Sequence, residues 1–321
     1  MEYVLFTLAV IGGIIGLVWS ADRFVLGAST TARNLGVSTL IIGLTIVSFG
    51  TSAPEIITSA TAALRGAPEL AIGNVLGSNI ANIGLVLGLT ALVCPIVIPT
   101  SLLKEELPVL LIVTVAALLI FQDLYLNWVD GIILLILLAC FTFFVFKIKS
   151  HLADTHLSEP EEVSEYIADI STAKSIGLML FGLILLLISA NALVYGATGI
   201  ARALGVSELI IGLTIVAVGT SLPELAASIA SVLKGHHDIA IGNVIGSNIL
   251  NLLLVLPVPA FLAPLNIDAT VLWRDGGMML LMTLILAVFI LLKIKSGQKF
   301  GRFLGAVLML LYLTYTAFLF V

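Results

Sequence analysis

The sequence predicts an all-α integral membrane protein, with about ten transmembrane helices forming two inverted five-helix repeats and broken helices at the bilayer midplane. Three observations lead there. The 321 residues are 60% hydrophobic and only 10% charged, whereas soluble chains carry roughly 25% charged residues, and mean hydropathy is +1.22. Apolar runs recur at lengths that cross hydrocarbon. The segment 36–88 returns without a gap as 205–257, matching at 32 of 53 positions with an offset of 169, polar residues included.

A soluble core of this size cannot hide so much apolar surface, which removes soluble enzymes. A net charge of −5, with only short basic clusters between apolar runs, removes nucleic-acid binding. The lipid bilayer is the partner this composition implies; it implies no cofactor and leaves oligomeric state open.

The spans are expected at 3–21, 38–64, 69–92, 106–121, 126–147, 175–194, 206–233, 238–256, 273–292 and 302–320. Met1-Glu2-Tyr3 lacks the basic start of a secretory signal, so the first run reads as a retained span. Cys94 and Cys140 lie far apart inside or beside apolar runs and suggest no disulfide framework.

Cytoplasmic connections retain Lys and Arg. Alternate connections hold 11 basic residues against 3 (Arg65, Arg202 and Arg274). This places both termini on the non-cytoplasmic side. The polar stretch 148–174, with Glu159, Glu161, Glu162, Glu165 and Asp169 around Pro160, reads as a cytoplasmic linker. It divides a first repeat, 1–147, from a second, 175–321. Compact linkers and the missing cleavable signal suggest a prokaryotic inner membrane.

Gly27-Ala28 and Arg33 match Gly196-Ala197 and Arg202, so each repeat begins one helix before its motif core. Five spans per repeat is an odd number, so the second copy enters from the opposite side. Inverted repeats are a common architecture of secondary transporters, with the site where discontinuous helices meet.

Each core carries a proline-broken segment, Gly50-Thr51-Ser52-Ala53-Pro54-Glu55 and Gly219-Thr220-Ser221-Leu222-Pro223-Glu224. Proline cannot donate to the carbonyl four residues back, so the helix bends or breaks and frees oxygens near Gly50 and Gly219. A carboxylate at that depth costs ~2.5–3.5 kcal/mol on insertion scales. The bland reading is a protonated Glu bonding a neighbouring helix; the functional one is a cation site. In the next helix Asn74, Ser78 and Asn82 recur at four-residue spacing, as do Asn243, Ser247 and Asn251, so each triplet lines one face. These side chains serve as ligands or as interhelical glue, the latter more readily for Asn74 and Asn243. Gly73 with Gly77, and Gly242 with Gly246, allow close helix approach.

Carboxylate, hydroxyl, amide and carbonyl oxygens are hard donors that suit Na⁺ or Ca²⁺. All four histidines lie in loops, which disfavours transition metals, although Mn²⁺ could be accepted. One Ca²⁺ neutralises two glutamates.

GTSAPE with GNVLGSNIAN, and GTSLPE with GNVIGSNILN, resemble the paired repeats of the calcium/cation antiporters, especially prokaryotic sodium/calcium exchangers. The resemblance implies exchange of cytoplasmic Ca²⁺ for external Na⁺ by alternating access, with the first and sixth helices sliding past the core. It places cation ligands at Thr51, Ser52, Glu55, Ser78 and Asn82, and at Thr220, Ser221, Glu224, Ser247 and Asn251, with the carbonyls of Ser48 and Ala217. Glu55 and Glu224 would hold the divalent ion. Some members carry Asp where this chain has Asn251, which makes the present site less acidic. A proton-coupled Ca²⁺ antiporter is the nearest rival; a passive channel and an intramembrane hydrolase fit the opposed motifs less well.

Overall fold

The structure, a computed structural model, describes residues 2–153, 169–205, 215, 217–296 and 299–319. The first half runs α1 (Glu2–Leu35), α2 (Thr39–Ile42), a π-helical turn (Gly43–Val47), α3 (Ser48–Thr51), α4 (Ala53–Leu64) and α5 (Pro68–Ala81). A second π-helical turn (Asn82–Leu87) leads into α6 (Gly88–Val93), then α7 (Thr100–Lys104), α8 (Glu106–Ile120) and α9 (Trp128–Ala153). The second half comprises α10 (Thr172–Ala203), α11 (Ala217–Thr220), α12 (Leu222–Leu233) and α13 (His237–Leu250), which enters a π-helical turn (Asn251–Val255) before α14 (Pro257–Leu262). A further π-helical turn (Val271–Gly276), α15 (Gly277–Ser296) and α16 (Arg302–Phe318) complete it. The only strands among the described residues, β1 (Tyr125–Leu126) and β2 (Leu265–Asn266), pair antiparallel between the halves.

Seven helical stretches among the described residues are long and apolar enough to cross a bilayer. Large apolar side chains such as Leu5, Ile15, Trp273 and Phe303 face outward, as a lipid-embedded surface requires. The expected span 206–233 falls partly outside the described residues, as does most of 148–174. The remaining expected spans coincide with helices, with three differences in extent. α9 continues to Ala153. The runs expected at 3–21 and 175–194 belong to helices of 34 and 32 residues.

Polar residues along these two helices find partners across the fold. Asp22 meets Lys234, and Thr31 donates to Ser175 Oγ at 2.9 Å. α1 stops only at Gly36, whose φ of 65° suits glycine. There the Val37 N–H reaches Ala32 O and the Gly36 N–H reaches Arg33 O, a Schellman closure.

α1 and α10 are repeat equivalents and pack antiparallel. A Cβ on Gly13 would lie 2.7 Å from the Leu193 nitrogen, and one on Gly182 would lie 2.5 Å from the Phe24 nitrogen. Equivalent helices running in opposite directions is the inverted arrangement. At the centre lie the ligand-triplet helices: in an apolar 18-residue segment of His237–Leu262, 94% of the residues are buried, and 78% in one of Pro68–Val93, against 22% for α1. The first half's broken helix leans directly on α13. Thr39 donates to the Asp238 carboxylate, and Gly242 and Gly246 sit against the backbone of Leu40 and Leu44.

Candidate functional site: a buried carboxylate pair

Both helix breaks fall where the prolines require them. Ser52 and Ser221 leave helical geometry, with ψ of 5° and 4°. Pro54 and Pro223 occupy the first turns of α4 and α12, where a missing N–H costs least. Glu55 and Glu224 share those first turns, near N–H groups that favour negative charge.

The two acidic side chains, from opposite repeats, come together. Each is 0% exposed, and Glu55 lies within electrostatic reach of Glu224. Ser52 Oγ donates to Glu224 Oε1 at 3.3 Å, bridging the repeats. Thr51 also lies beside Glu224, and Ser78 beside Glu55. Ser48, Asn82, Ser221, Ser247 and Asn251 are buried too, and Thr220 is 9% exposed. Ala217 opens α11. Each central π-helical turn begins on an asparagine of the triplet, Asn82 or Asn251; such turns often mark functional sites.

The polar inventory is unbalanced. Both Glu55 oxygens, Glu224 Oε2, the Ser221 and Ser247 hydroxyls and both amide atoms of Asn82 and Asn251 are buried without hydrogen-bond partners. No basic side chain pairs with either carboxylate among the described residues. Two buried like charges without a counter-charge are strongly unfavourable. Oxygen donors in this arrangement fit a hard cation as substrate, and the glutamate that merely bonds a neighbouring helix does not match Glu55. No group of three or more His, Cys, Asp or Glu occurs among the described residues, so the donors beyond the two carboxylates are neutral oxygens.

Asn74 and Asn243 do something else. Asn74 Nδ2 donates to Glu55 O at 3.2 Å and Ser59 Oγ at 3.0 Å. Asn243 Nδ2 donates to Glu224 O at 3.3 Å and Ser228 Oγ at 3.1 Å. Each amide thus fastens the backbone of its glutamate to the neighbouring helix, and Asn243 Oδ1 also accepts from Thr51 at 3.1 Å. We expect Asn243→Ala to weaken apparent Ca²⁺ affinity about tenfold, because a buried carbonyl loses its donor; titration of Ca²⁺ uptake measures it.

Sequence reasoning missed Ser59 and Ser228, four residues beyond the glutamates in both copies. It also missed Asn79 and Asn248, which are buried and linked across the repeats by Asn248 Nδ2 donating to Asn79 O at 3.3 Å. Recurrence at the same repeat position was the available signal for both pairs.

Comparison with known proteins identifies the family. The profile of the sodium/calcium exchanger protein family matches residues 5–147 and 174–321. The sodium/calcium exchanger MaX1 of Methanosarcina acetivorans is 32% identical over 365 aligned positions, covering 96% of each chain. Inner membrane protein YrbG of Escherichia coli is 41% identical over 304, covering 94% of this chain and 93% of that one. A solved structure of the sodium-calcium exchanger NCX_Mj, soaked with Na⁺ and no Ca²⁺, superposes with a TM-score of 0.84 at 37% identity, covering 98% of this chain and 99% of that chain. The match spans both halves and nearly the whole length of these relatives, and the chain belongs to the sodium/calcium exchanger family.

Proposed function

We propose that this protein exchanges Ca²⁺ for Na⁺ across the membrane by alternating access, both ions using one midplane site built from the two repeats. The observation that carries the reading is the pair of buried, unneutralised carboxylates of Glu55 and Glu224, donated by opposed broken helices. MaX1 and NCX_Mj, both named as exchangers of these ions, support it.

Glu55 and Glu224 hold Ca²⁺, which takes 6–8 oxygens at 2.3–2.6 Å. Thr51, Ser52, Ser78 and Asn82, with Thr220, Ser221, Ser247 and Asn251 and the carbonyls of Ser48 and Ala217, complete the Ca²⁺ and Na⁺ shells. Coupling follows from electrostatics. A site holding two bare carboxylates is costly to enclose between the helices, so the protein changes sides with Ca²⁺ or with Na⁺ bound and rarely empty. The basic connections face the cytoplasm and both termini lie outside.

The test is Ca²⁺ uptake into proteoliposomes under separately imposed Na⁺, H⁺ and voltage gradients. Outward-directed Na⁺ is expected to drive uptake, and a pH gradient alone is not. Uptake that follows pH and ignores Na⁺ overturns sodium coupling. Three Na⁺ per Ca²⁺ would move one net charge per cycle, worth ~2.3 kcal/mol per 100 mV; flux indifferent to voltage assigns an electroneutral cycle.

A further inference from the structure

The two repeats match in sequence at their cores but are not packed alike. α1 lies along α12, with Ile14, Leu17, Val18 and Ala21 lining a shared apolar groove against Leu225, Ile229 and others. At the end of that groove Lys234 Nζ meets Asp22 Oδ1 at 2.6 Å, and the Lys234 side chain is only 12% exposed. The turn after α12 holds the lysine in place: Gly235, at φ 83°, brings its N–H to Val232 O while the His236 N–H reaches Ser231 O.

The offset of 169 makes Asn191, on α10, the equivalent of Asp22, and Arg65, after α4, the equivalent of Lys234. This second corner is undone. α10 does not pack along α4 as α1 does along α12. Asn191 is exposed and its amide caps Leu187 O on its own helix at 2.9 Å. Arg65 is exposed and makes no side-chain hydrogen bond or ion pair among the described residues. Ile57, whose equivalent Ala226 lines the closed groove, is 66% exposed.

An inverted-repeat transporter reaches its opposite state when the halves exchange conformations. That exchange would bring Asn191 to Arg65 and part Asp22 from Lys234. One corner closes on an ion pair, the other on an amide and a guanidinium. We propose that Asp22 and Lys234 form a one-sided latch, which favours the state with α1 closed on α12 and has no equal in the state with α10 closed on α4.

This inference rests on the alternating-access reading. Lys234 lies among the connections assigned to the cytoplasm, so the latch holds the cytoplasmic side shut, and Ca²⁺ arriving from that side must find it released. A ligand's apparent affinity falls with the fraction of its competent state. Asp22 also has Arg23 Nε at 4.0 Å, which stays beside it when Lys234 departs and limits the size of the effect.

The experiment uses the full chain in lipid. Asp22→Asn makes the two corners alike, and Asn191→Asp gives the second corner its own pair. For Asp22→Asn, hydrogen exchange over 222–236 is expected to rise about two- to fivefold, the scale of a partly exposed pair. The KM for cytoplasmic Ca²⁺ relative to external Ca²⁺ should fall by the same factor. Asn191→Asp, which gives the opposite state its own ion pair with Arg65, should move that ratio the same way, and Asp22→Lys with Lys234→Asp should return it to within about twofold of the parent. Unchanged protection of 222–236 and an unchanged KM ratio in Asp22→Asn overturn the latch. Exchange over 222–236 reads the contact whichever ions are carried, so a failed latch and a failed sodium coupling give separate results.

Discussion

Glu55→Gln and Glu224→Gln are each expected to lower Ca²⁺ uptake at least about 100-fold, or ~2.8 kcal/mol at 1.4 kcal/mol per decade, while leaving membrane insertion intact. Glutamine keeps the shape and one carbonyl oxygen but removes a charge the divalent ion needs. Folding is not expected to suffer, because the change relieves repulsion between two acids that are both 0% exposed. Thermal unfolding separates the two effects. Ca²⁺ at 100 times its Kd stabilises the native protein by ~2.7 kcal/mol, so the parent's Tm should climb with Ca²⁺ while that of either variant stays flat. Near-normal flux in both variants would take the glutamates out of the mechanism.

Gly246→Ala should be a strongly damaging single-methyl change beside the site. The new Cβ would lie 2.5 Å from Leu44 O and 2.6 Å from Ser48 Oγ. Neither neighbour yields cheaply: one is backbone, and the Ser48 hydroxyl is committed to Leu44 O at 2.7 Å. The first half's broken helix must therefore back away from α13, carrying Ser48, Thr51 and Ser52 from Ser247. Overpacking of this kind costs ~1–3 kcal/mol, and the displaced ligands should cut Ca²⁺ uptake at least about tenfold. Gly12→Ala is the control: nothing lies within 4 Å of its added Cβ, so stability should stay within about 0.5 kcal/mol. A Gly246→Ala protein with parental Tm and flux would show that the crossing has slack to spare.

Much of this was legible in the chain because the governing constraints are local. Pro54 and Pro223 cannot complete the helix ladder, so the breaks at Ser52 and Ser221 are written into covalent structure. Polar residues matching at a fixed offset identified Glu55, Glu224 and the two triplets before any packing was visible. The helix ends were harder to read. Asp22 looks like the end of a span until Lys234, distant in sequence, is seen beside it. Asn74 and Asn243 stay open between ligand and interhelical glue until their amides are found on the glutamate carbonyls.

The sequence by itself determined that there are two related halves, that they are opposed, and that each contributes an acid at a broken helix, since repeats, periodicity and proline chemistry act over a few turns. Tertiary structure alone decided which half is closed. Repeats with matching cores encode nearly equal preferences, and the difference between α1 resting on α12 and α10 standing off α4 arises from contacts among helices far apart in the chain. Asp22 against Asn191 is a one-atom-group change in sequence. It becomes an asymmetry of state only when Lys234 is brought within 2.6 Å of one and Arg65 is left exposed, with no ion pair among the described residues.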